Sequence, residues 1–447
     1  MQFFDQLGEL IEQRWKDKNY GEWAFPEIAA QSLAEAEAIE KVDLQDILRC
    51  VHNSTALPQQ HKDDFSDLPV TLYQGPRFSV DVYFWLDGTT AIHQHSFSGA
   101  FQVLSGSSIH NLYTFEQEQG INSYLSVGRV LLQEVQSLTR GEIRKILPGR
   151  QFIHSLFHLD RPSVTITVRT NGEPTALPQY SYLKPYFSID PFFKEQLTAK
   201  KVQSVRMLLR MKDPTAYPLI DELVSSSDFH TTYLILSAAF EHLVDQTSQR
   251  LSPSTEGEPC PHDSLEQRSY FRGLLKKARR RHGSLMNFLL PVLGEVQRER
   301  ALVNLRSHVF GNEHRFFLAL LLNVEQRPLI FDFVRQRFPD RDPIDTICNW
   351  VRELSCTTRA NSHQTSILGI DPLEPTDLLV LKHLLEGLSI EEIKGSAGRE
   401  VSTGEVEKVY DRFQKSILLR SILPEQLAVT AGTGMPRSLS AMNFVSA

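Results

Sequence analysis

Apolar residues near the start of the chain recur at helical spacing. Phe3, Leu7, Leu10, Ile11 and Trp15 fall on one face of an amphipathic helix; an Ala- and Glu-rich run from Ile28 to Lys41 and a third segment from Asp43 to His52 continue it. The period then changes. From Leu68 to Thr170, branched and aromatic residues gather in short runs that predict strands at Val70–Tyr73, Phe78–Leu86, Ala100–Leu104, Ser108–Phe115, Val130–Glu134 and Ser163–Val168. Turn signals at Gly75-Pro76, Asp87-Gly88, Gly106, Gln119-Gly120 and Pro148-Gly149 separate them. The Pro- and Tyr-rich passage NGEPTALPQYSYLKPYFSIDPFF reads as a crossing segment, neither strand nor helix. From about Phe192 the helical period returns, at Val202–Met211, Tyr217–Ser225, Thr231–Thr247, Leu265–Arg281, Leu285–Leu293, Arg315–Asn323, Leu329–Phe338 and Ile344–Leu354. The pattern divides the chain into a helical cover (1–67), a strand-rich unit (68–190), a helical domain (191–427) and a small-residue tail (428–447) that reads as disordered, an α+β organisation. SPSTEGEPCPHD, from Ser252 to Asp263, reads as a loop within the helical part.

A chain of 447 residues has room for two or three cores, and its hydrophobic and charged shares, 41% and 23%, are ordinary for a soluble globular protein. A net charge of -7 offers no general attraction for nucleic acid or an anionic membrane. Lys276 to His282, KKARRRH, is the one strong basic run; a solvated helix face is its commoner meaning, a phosphate contact the sharper one. Cys50, Cys260, Cys348 and Cys356 are scattered, suggesting neither a zinc ribbon nor a disulfide framework. The acidic residues within the apolar N-terminal stretch argue against a signal peptide, and the densest apolar run, Phe316–Leu322, is too short to span a bilayer. A cytoplasmic protein with reduced thiols is the expectation.

Candidate chemistry concentrates in VDVYFWLDGTTAIHQHSFSGAFQVLSG, Val80 to Gly106. Side chains two apart on a strand share a face, so His93 and His95 can reach one ion; His154, following the Pro148-Gly149 turn, offers a third imidazole. Neutral imidazole suits iron, copper, nickel and zinc. Three neutral ligands leave the charge of a divalent ion uncancelled and positions open, which favours an anionic substrate together with oxygen and reads as catalytic rather than structural. His158 is either an outer-shell donor or a residue of the barrel rim. His110 reads as structural, and Gln102 as a solvated strand residue that has an inward alternative. Tyr180 or Tyr182 would bring a phenol to the metal if the crossing segment wraps over the site, ordinary packing being the bland alternative. Phe84, Trp85 and Phe97 would line a dry pocket or simply pack the core.

Gly88, His93, His95 and Gly106 resemble the first cupin motif; Gly141, Pro148, Gly149 and His154 resemble the second. Gly99 and Ala100 stand where that family usually has a metal-binding Glu. A cupin with three histidines and no Glu resembles the thiol dioxygenases, of which cysteine dioxygenase is the best known; RFSVDVYFWLDGTTAIHQH carries the closest local likeness, with Trp85 and the His pair in the same order. Arg77 is the nearest residue to that family's substrate-binding Arg. The resemblance implies N-terminal helices plus a cupin-like antiparallel β-barrel followed by an all-α C-terminal domain. It also implies Fe(II), or another divalent transition metal, on His93, His95 and His154, and an oxygenase taking dioxygen and a small molecule, with a thiol as one candidate. A rival reading rests on LLVLKHLLEGLSIEEI and Ser402–Val406, which resemble the helix-turn-helix of LuxR-type regulators. The chain would then be a non-enzymatic sensor reading DNA, although EVEKVYDRFQK balances its bases with acids.

Overall fold

The computed structural model describes residues 2–53, 57–61, 65–86, 90–172, 178–193, 195–244, 261–306, 308–324, 326–357, 366–396, 403–416 and 418–423. The Asp87-Gly88 turn, most of the Ser252–Asp263 stretch, Ser402 and the tail from Ala428 lie outside them.

Four helices open the chain: α1 (Gln2–Lys16), α2 (Phe25–Ala36), α3 (Ala38–Lys41) and α4 (Leu44–Asn53). The stripe foreseen on α1 is buried at Leu7, Ile11 and Trp15. It packs on one face of a five-stranded sheet of order β1-β2-β9-β4-β7, formed by Leu68–Gln74, Phe78–Trp85, Ser163–Thr170, Gly99–Ser105 and Ile143–Ile146. Period-two alternation sorts its residues. Phe78, Val80, Val82, Phe84, Ala100, Val164, Ile166 and Val168 join the helical cover in one core, while Ser79, Asp81, Tyr83, Trp85, Thr165, Thr167 and Arg169 occupy the other face.

The remaining strands close an antiparallel barrel in the order β10-β11-β6-β5-β8-β3: Ser181–Leu183, Phe187–Ile189, Leu125–Leu138, Ser108–Asn122, Gly149–His158 and His93–His95. Closure removes open edges. Phe101, Val103 and Ile146 of the five-stranded sheet pack with Leu138, Phe152 and Leu156 of the barrel. The Pro- and Tyr-rich passage corrects the reading made from composition. Its second half forms β10 and β11, because Ser181 pairs with His93 and Phe187 with Val127, partners supplied by strands far away in sequence.

Helices follow from α5 (Gln196–Arg210) through α6 (Ala216–Ser226), α7 (Phe229–Leu243), α8 (Pro261–His282), α9 (Met286–Arg306), α10 (Asn312–Asn323), α11 (Arg327–Arg337), α12 (Pro343–Cys356), α13 (Pro375–Glu386) and α14 (Ile390–Ser396) to α15 (Thr403–Lys415). Local chemistry marks several ends: Asp228 and Asp342 cap α7 and α12 through the amides of Thr231 and Asp345, and left-handed Gly387 closes α13. These helices share cores with the barrel. One cluster joins Ile109, Phe157 and Leu159 to α10–α15, and another joins Leu125, Val127 and Phe187 to α5–α9. Arg315, fully buried on α10, donates from Nε to the Leu159 carbonyl (2.9 Å) and from Nη2 to that of Leu86 (3.1 Å). Among the described residues no helix is long and apolar enough to cross a membrane.

Candidate metal centre

In the β3–β8 ladder His93 stands directly opposite His154. Antiparallel partners have Cβ atoms only about 5 Å apart on one face, so the pairing itself brings these two rings together. An irregularity in register between His93 and His95 then swings the third ring in, and one ligand atom from each residue lies within 4.8 Å of the others. The His95 and His154 Nε2 atoms are 2.8 Å apart. Two nitrogens at right angles on bonds of about 2.1 Å would be separated by about 3.0 Å, so this pair is already spaced to share an ion. All three rings are buried, between the barrel and the five-stranded sheet.

Hydrogen bonds fix which nitrogen faces the centre. A carbonyl only accepts, so the 2.8 Å contact from His93 Nδ1 to the Ala91 oxygen places the proton on Nδ1 and leaves the lone pair on Nε2. That Nε2 is buried with no hydrogen-bond partner among the described residues, the kind of atom an ion would satisfy. Behind His154, His110 places its Nε2 2.9 Å from the His154 Nδ1. If His154 offers Nε2 to a metal, its Nδ1–H donates to His110, the supporting contact that ligating histidines ordinarily make to a carboxylate or carbonyl. His110 is the residue read as merely structural; its parity with Leu112, the partner of His154, was the available signal.

Electrostatics agree with this donor set. Burial is the main influence lowering the His93 pKa, and burial, with His93 and Arg169 nearby, holds that of His95 well below the usual value. Burial, reinforced by the neighbouring imidazoles, does the same to His154, and burial with Arg144 brings His110 down to about 3. The rings are therefore neutral at pH 7, ready to donate lone pairs. A stability consequence follows. On unfolding these histidines return to about 6.5 and take up protons that the fold refuses, so stability is intact above that pH and is lost as pH falls through the window towards the depressed folded values. Each contributes up to about 1.4 kcal/mol per pH unit. Urea unfolding of metal-free protein should show a clearly lower midpoint at pH 5.5 than at pH 7; equal midpoints would contradict neutral buried rings.

No carboxylate joins the three histidines among the described residues. Gly99 supplies the steric reason: a Cβ there would lie 1.9 Å from the Val168 carbonyl oxygen, and Ala100 faces the helical cover. No Glu fits at 99 without breaking the β4–β9 ladder, and one at 100 would point away.

The other candidates fall elsewhere. His158, four residues along β8 from His154 and so about 13 Å further on, pairs through Nδ1 with Ser108 Oγ (2.9 Å) and stacks on Trp85 at 4.5 Å. Tyr180 and Tyr182 correct the expectation of a phenol at the metal. Ser181 is the residue in register with His93, so its two neighbours take the opposite face, where Tyr180 donates to the Ser123 carbonyl (2.8 Å) and Tyr182 to Gln94 Oε1 (2.5 Å). Gln102 is buried rather than solvated, and donates to the Gly141 carbonyl at 3.1 Å. Arg77 lies over the Tyr20 ring on the helical cover, not at the centre. Phe97 does flank the site, 4.6 Å from the His95 ring; Phe84 belongs to the core under the helical cover.

The polar residues on the inner face of β2 and β9 were missed. Asp81 is buried there and bonded to Arg169 Nε at 3.0 Å; Arg169 in turn lies over Phe97 at 5.2 Å, next to His95. With Tyr83, Thr165 and Thr167 these residues give the five-stranded sheet a buried polar face. Alternation in SVTITVRT was the visible signal.

Several residues of the stretches that had suggested nucleic acid make contacts within the protein. Arg281 donates to the carbonyls of Ser225, Ser226 and Ser227 at the end of α6, and Lys277 pairs with Asp221 at 2.8 Å. In the α13–α15 region Arg412 pairs with Asp377 and Lys394 with Glu407, while Val406, Val409, Tyr410 and Phe413 face the core.

No protein-family model matches the chain, and no curated protein does. Similar solved structures include an uncharacterised double-stranded β-helix protein from Klebsiella pneumoniae, 17% identical, overlapping 25% of this chain and 84% of its own with a TM-score of 0.18. A hydroquinone 1,2-dioxygenase from Sphingomonas sp. TTNP3 is 11% identical over 24% of this chain and 68% of its own, with a TM-score of 0.20. A cupin superfamily protein from Desulfitobacterium hafniense is 12% identical over 26% and 94%, with a TM-score of 0.17. Likeness of this extent carries no inference about activity; the fold and the histidine cluster stand on this chain's own geometry.

Proposed function

We propose that the protein is a metal-dependent oxygenase holding iron(II) on His93, His95 and His154 and acting on a small polar molecule, with a thiol that also bears an acidic group as the substrate of choice. The observation that carries this reading is a buried set of three neutral imidazoles with no carboxylate beside them among the described residues: the donors suit a divalent transition ion, and the ion would keep its charge and open positions. A bound iron(II) would supply the redox chemistry with dioxygen. The chain's own contribution is orientation and exclusion of water. Ala91 and His110 hold two of the ligand rings in their tautomers, and Phe97 and Phe152 shield the centre. Arg169, neutralised by Asp81, and the Thr165 and Thr167 hydroxyls present a polar wall. Protein purified without chelator, analysed for metals and then loaded with iron(II), should bind about one equivalent and consume oxygen with cysteine or 3-mercaptopropionate faster than with cysteamine, which lacks the acidic group. Absence of stoichiometric metal, or oxygen uptake unchanged in His95→Ala, would overturn the proposal.

A further inference from the structure

A partly open cavity lies apart from the candidate metal centre, and none of His93, His95 and His154 lines it. It has a volume of about 340 Å³ and is walled by the end of β11 and by helices α5, α7 and α9, within the range of small-molecule sites. Val202, Tyr233, Phe240 and Leu293, all buried, give it an apolar wall, with His230 and Ser237 as polar neighbours. Its charged groups come as a balanced set. Glu241 accepts from Arg206 (3.4 Å) and from Arg300, and Asp190, at the end of β11, adds a second carboxylate. Both arginines are about half exposed and so stand at the opening, whereas the Glu241 side chain is only 20% exposed. Two cations and two anions beside an apolar wall do not select an organic anion or an organic cation. They complement a molecule carrying both charges on one end and hydrocarbon on the other. Arginine presents several donors in a fork that suits a carboxylate, and a carboxylate accepts from an ammonium group.

We infer that this cavity is a binding site for an apolar α-amino acid, its carboxylate on the Arg206–Arg300 pair, its ammonium on Glu241 and its side chain among Tyr233, Phe240 and Leu293. Its lining shares no residue with the three candidate ligands, so the amino acid occupies a site distinct from the proposed metal centre and independent of any metal there. Titration calorimetry of the full chain with L-phenylalanine and L-leucine is expected to show saturable binding of at least one of them below about 1 mM. L-Phenylalaninamide and N-acetyl-L-phenylalanine, each lacking one charge, should bind at least about tenfold more weakly. Ala199→Trp, which fills the cavity from α5, should abolish binding while leaving the circular dichroism and the melting temperature near those of the parent; Arg300→Gln should weaken the amino acid more than the amide. The inference falls if neither amino acid binds by about 10 mM, if the one-charge analogues bind equally well, or if a folded Ala199→Trp protein binds as the parent does.

Discussion

Replacing His93 with alanine is expected to cost the protein about 100-fold or more in affinity for divalent transition metals while leaving the fold in place. Structural sites of four ligands bind zinc with roughly 10–16 kcal/mol, about 3 kcal/mol for each donor; losing one of three should cost at least that share. The stability effect without metal is smaller and has competing parts. The substitution removes a buried Nε2 that has no partner among the described residues, which favours the variant, but strips the Ala91 carbonyl of its His93 donor and opens a ring-sized space. Melting of parent and variant with and without cobalt(II) separates these contributions. At a concentration 100 times its dissociation constant, metal stabilises the parent by about 2.7 kcal/mol, and His93→Ala should lose most of that increment. An equal metal-induced shift in both proteins would show that His93 is no ligand. His110→Phe is the informative companion, since it leaves every candidate ligand intact and should weaken binding by about 10- to 100-fold through His154 alone.

How far the centre could be read from sequence depended on whether a contact is local. His93 and His95 share a face because of strand period alone, so their joint direction was visible as soon as the strand was recognised. Which partner lies opposite is a question of register, set by strands tens of residues away. His154 entered through its turn signal, but His110, in contact with it, did not. The same gap hid Asp81 and Arg169, adjacent in space and 88 positions apart. Register also decided the tyrosines: one residue's shift in the Ser181–His93 pairing would have put Tyr180 and Tyr182 on the face of the histidines. The change from helical to strand period near Leu68 and back near Phe192 marked the helical and strand-rich segments, because amphipathic period reports element type directly. That period was silent on the shared cores, in which the helices from α5 onward pack against barrel strands.

Arg315→Met should produce the largest loss of stability of any single change far from the histidines, about 2–4 kcal/mol, from the buried Leu159 carbonyl deprived of this donor at roughly 1–3 kcal/mol and the loss of charge-assisted bonds to it and to the carbonyl of exposed Leu86. Methionine nearly preserves the volume, so the effect tests hydrogen bonding rather than a cavity. The carbonyls concerned belong to Leu86 and Leu159, one residue beyond Trp85 and His158, which are themselves stacked at 4.5 Å. The guanidinium therefore ties α10 to the ends of β2 and β8 at once, the latter being the strand that carries His154. Lysine should recover only part of the loss, because one ammonium cannot reproduce the planar fork that serves both carbonyls. Urea unfolding followed by tryptophan fluorescence and by far-ultraviolet circular dichroism provides the check. The shared core of Ile109, Phe157 and Leu159 with the helices predicts coincident transitions in the parent. In Arg315→Met both probes should shift to lower urea, and the fluorescence of Trp85 and of Trp350, which packs beside α10 against Phe317 at 5.4 Å, should lead. A variant within about 0.5 kcal/mol of the parent would mean that these carbonyls find other donors and that the helices hold to the barrel through apolar contact alone.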